Sequence, residues 1–275
     1  MHAAARSAGR AMVTSSARHR ATPGGLAQAW SALADLVLPR ACGGCGRPGT
    51  GWCTACAGLL AAAPTRRALA DGFAVWFAVP YEDPVRSAVV RWKDRGRADL
   101  TGALAVGLRR SAAVALADVV APTGTVLVPM PSSARSRRAR GHDPVRDLAR
   151  AAAVGLSRRA PAGRSADGLA ATPAGRLPEL RVLPVLCQGR PVADQAGLPA
   201  DERARNLAGA LAVRAGWRPR LAGRPLLLVD DVVTTGSTLL EARRTLAEAG
   251  GRVLAAATLA STPLVRPAPN EGHPK

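Results

Sequence analysis

Four consecutive apolar residues, Leu226 to Val229, stop at the acid pair Asp230-Asp231, and this break in the pattern organises the second half of the chain. A continuous apolar run suits a parallel strand covered on both faces rather than a half-exposed one. The expectation is a buried strand ending at Asp230. After a hydroxyl-rich turn, Leu239, Ala242, Leu246 and Ala249 recur at helical spacing, and Gly250-Gly251 supplies a stop. Val253 to Leu259 is apolar again. Strand, helix and strand make a βαβ unit, whose ligand crevice belongs at the carboxyl ends of the strands.

The earlier part of the chain carries related patterns. Val126-Leu127-Val128 reads as a second buried strand, ending in Pro129-Met130-Pro131-Ser132-Ser133. Arg135, Arg137, Arg138 and Arg140 follow, then Gly141 and a helical stripe of Val145, Leu148, Ala149, Ala152 and Leu156. Further upstream, Phe73, Val75, Phe77 and Val79 alternate as in a half-buried strand. A helix from Pro84 carries the stripe Val85, Ala88, Val89 and Trp92, with Lys93 near its end, and Leu100, Leu104, Leu108 and Ala112 suggest another. Leu33 to Leu38 looks like the end of a short helix halted by Pro39. Ser157 to Pro178 lacks periodicity and reads as a loop or insertion. The polar stretch with Arg190, Asp194, Gln195, Arg203, Arg205 and Asn206 has the length of a lid over a site. The fold class expected is α/β, a mainly parallel sheet flanked by helices.

The acid pair and the turn after it carry the candidate chemistry. Backbone N–H groups at a helix start favour an anion, Gly236 lets the main chain approach it, and Thr234, Thr235, Ser237 and Thr238 add hydroxyl donors. Asp230 and Asp231 would repel a bare phosphate, so they suit the vicinal hydroxyls of a ribose, or a metal ion beside it. Thr238 to Glu241 also fits a capping box, which would account for part of the motif but needs no acid pair. A nucleotide-hydrolase strand would require a glycine-rich loop ending in Gly-Lys-Ser/Thr. The only lysines are Lys93 and Lys275, neither in such a loop, which excludes that chemistry. In a doubly wound sheet the end of the Val126 strand shares the crevice with Asp230, so Arg140 could meet phosphate there; a solvated basic loop is the competing account.

Composition adds a charge and a metal. With 275 residues and 48% hydrophobic content, the chain can bury a substantial core, and no apolar run approaches the ~18 residues of a membrane span. The formal net charge is +19, carried almost wholly by arginine. Such a surface attracts polyanions, nucleic acid or phosphorylated metabolites, although a GC-rich coding bias would produce the same composition. Aromatics are only 3%, which disfavours a base-stacking platform. Residues 1–29 are acid-free and lack the apolar core of a secretory signal. They are expected to be a disordered extension or an over-long start, with Met12 a possible internal start, and the protein is expected in the cytoplasm. Cys42-Gly43-Gly44-Cys45 and Cys53-Thr54-Ala55-Cys56 can close a four-thiolate tetrahedral site, for which structural zinc is the default and disulfides or an iron–sulfur cluster are the alternatives. Cys187 is left without a role.

Val229-Asp230-Asp231-Val232-Val233-Thr234-Thr235-Gly236-Ser237-Thr238 resembles the phosphoribosyl-pyrophosphate (PRPP) signature of type I phosphoribosyltransferases. With the four cysteines, the resemblance narrows to the ComF family, double zinc ribbon and phosphoribosyltransferase-domain proteins, over about residues 35 to 262. Tyr81, Lys93, Val128 to Pro131, Arg140-Gly141, Gln195 to Leu198 and Glu202 to Asn206 fit that pattern. Arg140-Gly141-His142-Asp143-Pro144 departs from the usual Arg-Gly-Phe-Asn-Gln, and Gln188 and Val192 stand where Arg and Thr are typical. Composition sets apart a disordered extension at 1–29 and a Pro-rich, polar loose tail at 263–275, and the resemblance implies a zinc-ribbon module at 30–64 and a phosphoribosyltransferase domain of the type I fold at 70–262. It implies displacement of pyrophosphate from PRPP by an unidentified acceptor, with Mg²⁺ carried by PRPP. Asp230 and Asp231 would hold the ribose hydroxyls. Val232 and Thr234 to Thr238 would hold the 5′-phosphate, and Arg140, Pro131 and Ser132 the pyrophosphate. Cys42, Cys45, Cys53 and Cys56 would hold zinc. The family's link to competence and DNA uptake makes nucleic acid or the competence machinery an expected partner.

Overall fold

In the computed structural model, the run from Leu226 belongs to a nine-residue strand inside a five-stranded sheet, one place from its edge. The structure describes residues 41–133, 137, 138, 140–157, 180–190 and 209–263. Residues 1–29, the helix end at Leu33 to Leu38, Arg135, most of the loop after Ser157, Val192, Asp194, Gln195 and its neighbours, Glu202 to Asn206 and the tail from residue 264 lie outside these.

In chain order the elements are α1 (Thr54–Leu59), β1 (Thr65–Ala68), β2 (Ala74–Pro80), α2 (Val85–Asp94), α3 (Thr101–Asp118), β3 (Val126–Pro129) and α4 (Pro144–Ser157). They continue with β4 (Leu186–Gln188), β5 (Leu211–Val213), α5 (Arg218–Leu221), β6 (Pro225–Val233), α6 (Ser237–Glu248) and β7 (Arg252–Ser261). The sheet order is β1-β2-β7-β6-β3, with β1 antiparallel to β2 and every other pairing parallel. β4 and β5 pair separately as an antiparallel ribbon.

The β6 run is buried on both faces, as a continuous apolar pattern requires. Leu227 and Val229 face a core built with α2, α3 and α4, while Leu226 and Leu228 face one built with α6 and the β4–β5 ribbon. Leu228 is fully buried, so Leu228→Ala is expected to lower stability by about 2–5 kcal/mol, read as a shifted denaturant midpoint at unchanged slope. α6 ends in a Schellman motif: Gly250 has φ 83°, its N–H donates to Ala247 O, and the Gly251 N–H donates to Leu246 O. α3 is long and apolar enough to cross a membrane by length and composition alone. Here Leu104, Leu108, Ala112 and Ala115 bury it in the core.

Three expectations are corrected. β6 runs on through the acid pair to Val233, because Asp230, Val232 and Val233 still pair with Thr258, Ala260 and Ser261 of β7. Alternation of Phe73 to Val79 does not mark a half-exposed strand: β2 lies inside the sheet, and Ala74 and Ala78 are buried along with Val75 and Val79. There is no capping box at Thr238. Gly236 is the N-cap of α6, without a side-chain cap hydrogen bond, and Glu241 accepts instead from the Gly209 N–H and from Arg244. Burial opposes the charge of Glu241, but Arg244 and the backbone donors outweigh it and hold the carboxyl below its usual range.

Candidate functional site

The parallel pairing of β3 with β6, Pro129 opposite Val229, sets the loop after β3 beside the acid pair. Between them opens a cleft of about 520 Å³, within the range of small-molecule sites. Its wall includes Asp230, Asp231, Val232, Thr234 and Thr238 from β6 and the start of α6, and Pro131, Ser132 and Arg140 from the other side. Eight of the expected site residues are therefore brought together. Thr235, Gly236 and Ser237 lie between Thr234 and Thr238 in the chain and are not on that wall. Thr235 and Ser237 share a hydroxyl contact of 3.0 Å, and Gly236, with φ 84°, backs onto Leu69. A larger cleft of about 650 Å³ lies at the opposite, amino-terminal ends of β3 and β6, with Arg181, Arg220 and Arg224 on its wall and no carboxylate. It shares no residue with the acid pair or the hydroxyl turn.

The two aspartates differ in role. Asp231 is buried, 3% exposed, and accepts from Lys93 Nζ at 2.6 Å. Asp230 is half-buried and accepts the Asp231 N–H through Oδ1 at 2.8 Å. Loss of water, then the neighbouring Asp231 charge, pushes Asp230 above the usual carboxylate range, although Lys93 pulls the other way. Burial opposes the Lys93 charge, but Asp231 and Asp230 outweigh it and hold the ammonium above its ordinary value. The cleft thus couples one cation to two carboxylates at the end of a strand.

Beside the acid pair, the start of α6 leaves its first N–H groups without intrahelical acceptors. Gly236 offers no side-chain cap, the Ser237 N–H reaches only Thr235 Oγ1 at 3.4 Å, and Thr234 and Thr238 are exposed. Such a terminus receives an anion. Across the cleft Arg140 pairs with Asp94 at 3.0 Å, which holds its guanidinium at the wall. Of the other arginines in that run, Arg137 donates to Ser132 O, and Arg138 is exposed.

Lys93, Tyr81 and Asp94 also line the wall. Sequence reading placed Lys93 only at the end of a helical stripe and in a family pattern. Its partnership with Asp231 spans 138 positions and has no local signal. Asp143 was also missed. It is buried and accepts from Ser132 Oγ at 2.9 Å and from the Arg146 N–H, tying the β3 loop to the first turn of α4. Aspartate directly before a proline at a helix start was the available signal.

The four cysteine sulfurs lie within 4.8 Å of one another. Cys42 and Cys56 are 3.7 Å apart, and Cys45 and Cys53 3.6 Å. A tetrahedral zinc with Zn–S near 2.3 Å sets its sulfurs about 3.8 Å apart, so the four thiols fit such an ion and are too far apart for disulfides. Burial opposes ionisation of Cys42, but the N–H groups of Cys53, Cys45 and Gly44 bring it down to about 6. Burial pushes Cys56 up to about 12. The cluster is fastened to α2 by Arg91, whose Nη1 donates to the carbonyls of Cys42, Gly43 and Gly44 at 2.9–3.3 Å.

No curated protein matches the chain. Residues 212–273 match the phosphoribosyl transferase domain family, a stretch that takes in β6, the hydroxyl turn, α6 and β7. A mostly parallel sheet with a phosphoribosyltransferase domain, preceded by a four-cysteine cluster that could hold zinc as a zinc ribbon does, is what the fold and the comparison together give.

Proposed function

We propose that the cleft binds PRPP and that the protein is a phosphoribosyltransferase of the ComF kind, passing the 5-phosphoribosyl group to an acceptor with release of pyrophosphate. The observation that carries this reading is the meeting of the Asp230-Asp231 pair, a helix start with glycine at its N-cap and the Pro131–Ser132–Arg140 wall around one cleft. Asp230 and Asp231 accept the ribose hydroxyls, and the 234–238 turn takes the 5′-phosphate on backbone N–H and hydroxyl donors. Arg140 and the loop after β3 face the pyrophosphate. Mg²⁺ bound with PRPP would supply positive charge at the leaving pyrophosphate.

As the bond from ribose C1 to pyrophosphate breaks, positive charge develops on the ring and is met by the acid pair, while the acceptor forms the new bond at C1 and gives up its proton to water or the departing pyrophosphate. The cleft's contribution is positioning and charge stabilisation. Lys93 holds the Asp231 carboxylate in place through its 2.6 Å contact, and so acts as a positioning residue. Calorimetric titration with PRPP and Mg²⁺ tests the reading, and no saturable binding would overturn it. Pyrophosphate release across a panel of nitrogen bases then tests transfer.

The pH dependence has a definite sign. Asp230 titrates above the usual carboxylate range. PRPP affinity is expected to fall as pH drops through that raised value, because the ribose hydroxyls need an ionised acceptor. Asp230→Asn should flatten the profile. Folding stability carries the opposite sign: a raised carboxyl pKa favours the fold when protonated, and this contribution is lost as pH rises through it.

A second reading, PRPP binding without turnover, is favoured by Asp143, which is turned inward onto Ser132 in the segment His142 to Pro144 that departs from the family pattern. Turnover that disappears with Asp231→Ala would exclude it. A competence role, with nucleic acid as partner and the cytoplasm as the site of action, rests on the family resemblance and the +19 charge. Binding to DNA that does not weaken with salt would speak against it.

A further inference from the structure

Arg67 lies on the edge strand β1, yet it is only 9% exposed. Its neighbour Arg66 pairs with Asp118, Arg97 with Asp99, Arg140 with Asp94 and Arg244 with Glu241. Arg67 has no carboxylate partner among the described residues. Its Nη1 donates to Ser261 Oγ at 3.1 Å, and its Nε is buried without a hydrogen-bond partner. A guanidinium withdrawn from water with no counter-charge is costly, and it stays protonated in proteins, so it calls for an anion.

Two contacts place this charge beside the hydroxyl turn. Ser261, which Arg67 grips, is the ladder partner of Val233, the residue before Thr234, and the next N–H, that of Thr262, donates to Val233 O at 2.9 Å. Two positions along from Arg67, Leu69 packs on the other end of the turn. A Cβ at Gly236 would lie 2.3 Å from Leu69 Cδ1. The segment carrying Arg67 therefore touches the turn at its entry through Ser261 and at Gly236 through Leu69.

We propose that Arg67 supplies the counter-charge for a phosphate monoester dianion bound at the 234–238 turn, and so makes the site selective for a 5-phosphorylated sugar. This rests on the reading of the cleft as a PRPP site and adds a residue to it from an element outside the matched domain. Arg67 is a specificity-determining residue acting on the sugar-phosphate end of the ligand, and the pyrophosphate end, at Arg140, is independent of it.

The test titrates ribose 5-phosphate, pyrophosphate with Mg²⁺, and PRPP with Mg²⁺ into the full chain as wild type, Arg67→Gln and Arg67→Lys. Glutamine keeps a donor for Ser261 Oγ and removes the charge; lysine keeps the charge. The expected result is roughly 10- to 100-fold weaker ribose 5-phosphate and PRPP binding in R67Q, unchanged pyrophosphate binding, and recovery in R67K. Equal ribose 5-phosphate affinity in wild type and R67Q overturns the inference alone. Equal weakening of ribose 5-phosphate and pyrophosphate also overturns it, since that is the mark of a structural role. Wild type that binds neither PRPP nor ribose 5-phosphate overturns the reading of the cleft itself. Should R67Q fail to fold, the arginine Nε–H resonance that vanishes in R67K decides on wild-type protein: it should shift with ribose 5-phosphate and stay in place with pyrophosphate, and a resonance that ignores ribose 5-phosphate overturns the proposal.

Discussion

An Asp231→Asn variant titrated with PRPP and Mg²⁺ is expected to lose about 100-fold or more in affinity while keeping its fold. The carboxylate is buried and holds Lys93 Nζ at 2.6 Å, so the amide removes a charged acceptor for the ribose and leaves an ammonium facing a neutral group. Hydrogen bonds to charged groups contribute about 1.5–3 kcal/mol each, and a cation left in a half-buried cleft adds to that loss. Lys93→Met should produce a smaller loss of the same kind, because it releases Asp231 without removing it. Unchanged affinity in Asp231→Asn would remove the acid pair from the binding site.

The second large effect concerns the cysteines. Replacing Cys56, 2% exposed, by serine is expected to abolish zinc retention and to lower the melting temperature by roughly 10 °C or more, with the same shift produced in wild type by a strong chelator. A structural zinc site contributes roughly 10–16 kcal/mol in small zinc peptides, comparable to the whole stability of an ordinary domain. The loss would not stay local. Gly43 abuts Leu100 and Gly44 abuts Pro84, so the knuckle is part of the packing around α2. Metal content by atomic emission, followed by calorimetry, reads both halves of the prediction. A protein purified with no zinc and an unshifted transition on chelation would reject the metal.

Legibility followed the physics of each segment. Leu226 to Val229 and Val126 to Val128 could be read as covered strands because a short unbroken apolar run has few other uses in a folded domain, and both lie buried between two cores. The extension of β6 through Asp230 and Asp231 could not, since carboxylates normally end a strand and only the ladder to β7 keeps this one going. In β2, Ala74 and Ala78 are too small to mark a face, so the larger residues suggested an exposed side that does not exist. β1 reads Thr-Arg-Arg-Ala, a polar stretch with no strand signature, and it joins the sheet as its edge. The acid pair, the hydroxyl turn and Arg140 were legible because their chemistry is local in the chain. Lys93 and Arg67 act through contacts 138 and 194 positions away, which no pattern in the sequence announces.

The ten residues of α2 hold the cysteine carbonyls through Arg91 at one point and the cleft carboxylate through Lys93 two positions later. A metal at the cysteines and a ligand in the cleft would therefore act on one and the same helix. Whatever free energy the ion spends in setting that helix for Asp231 must return, by reciprocity, as an equal change in the grip on the ion when the cleft is filled. On that arrangement, ligand affinity is expected to change when zinc is removed, and zinc retention when the cleft is filled.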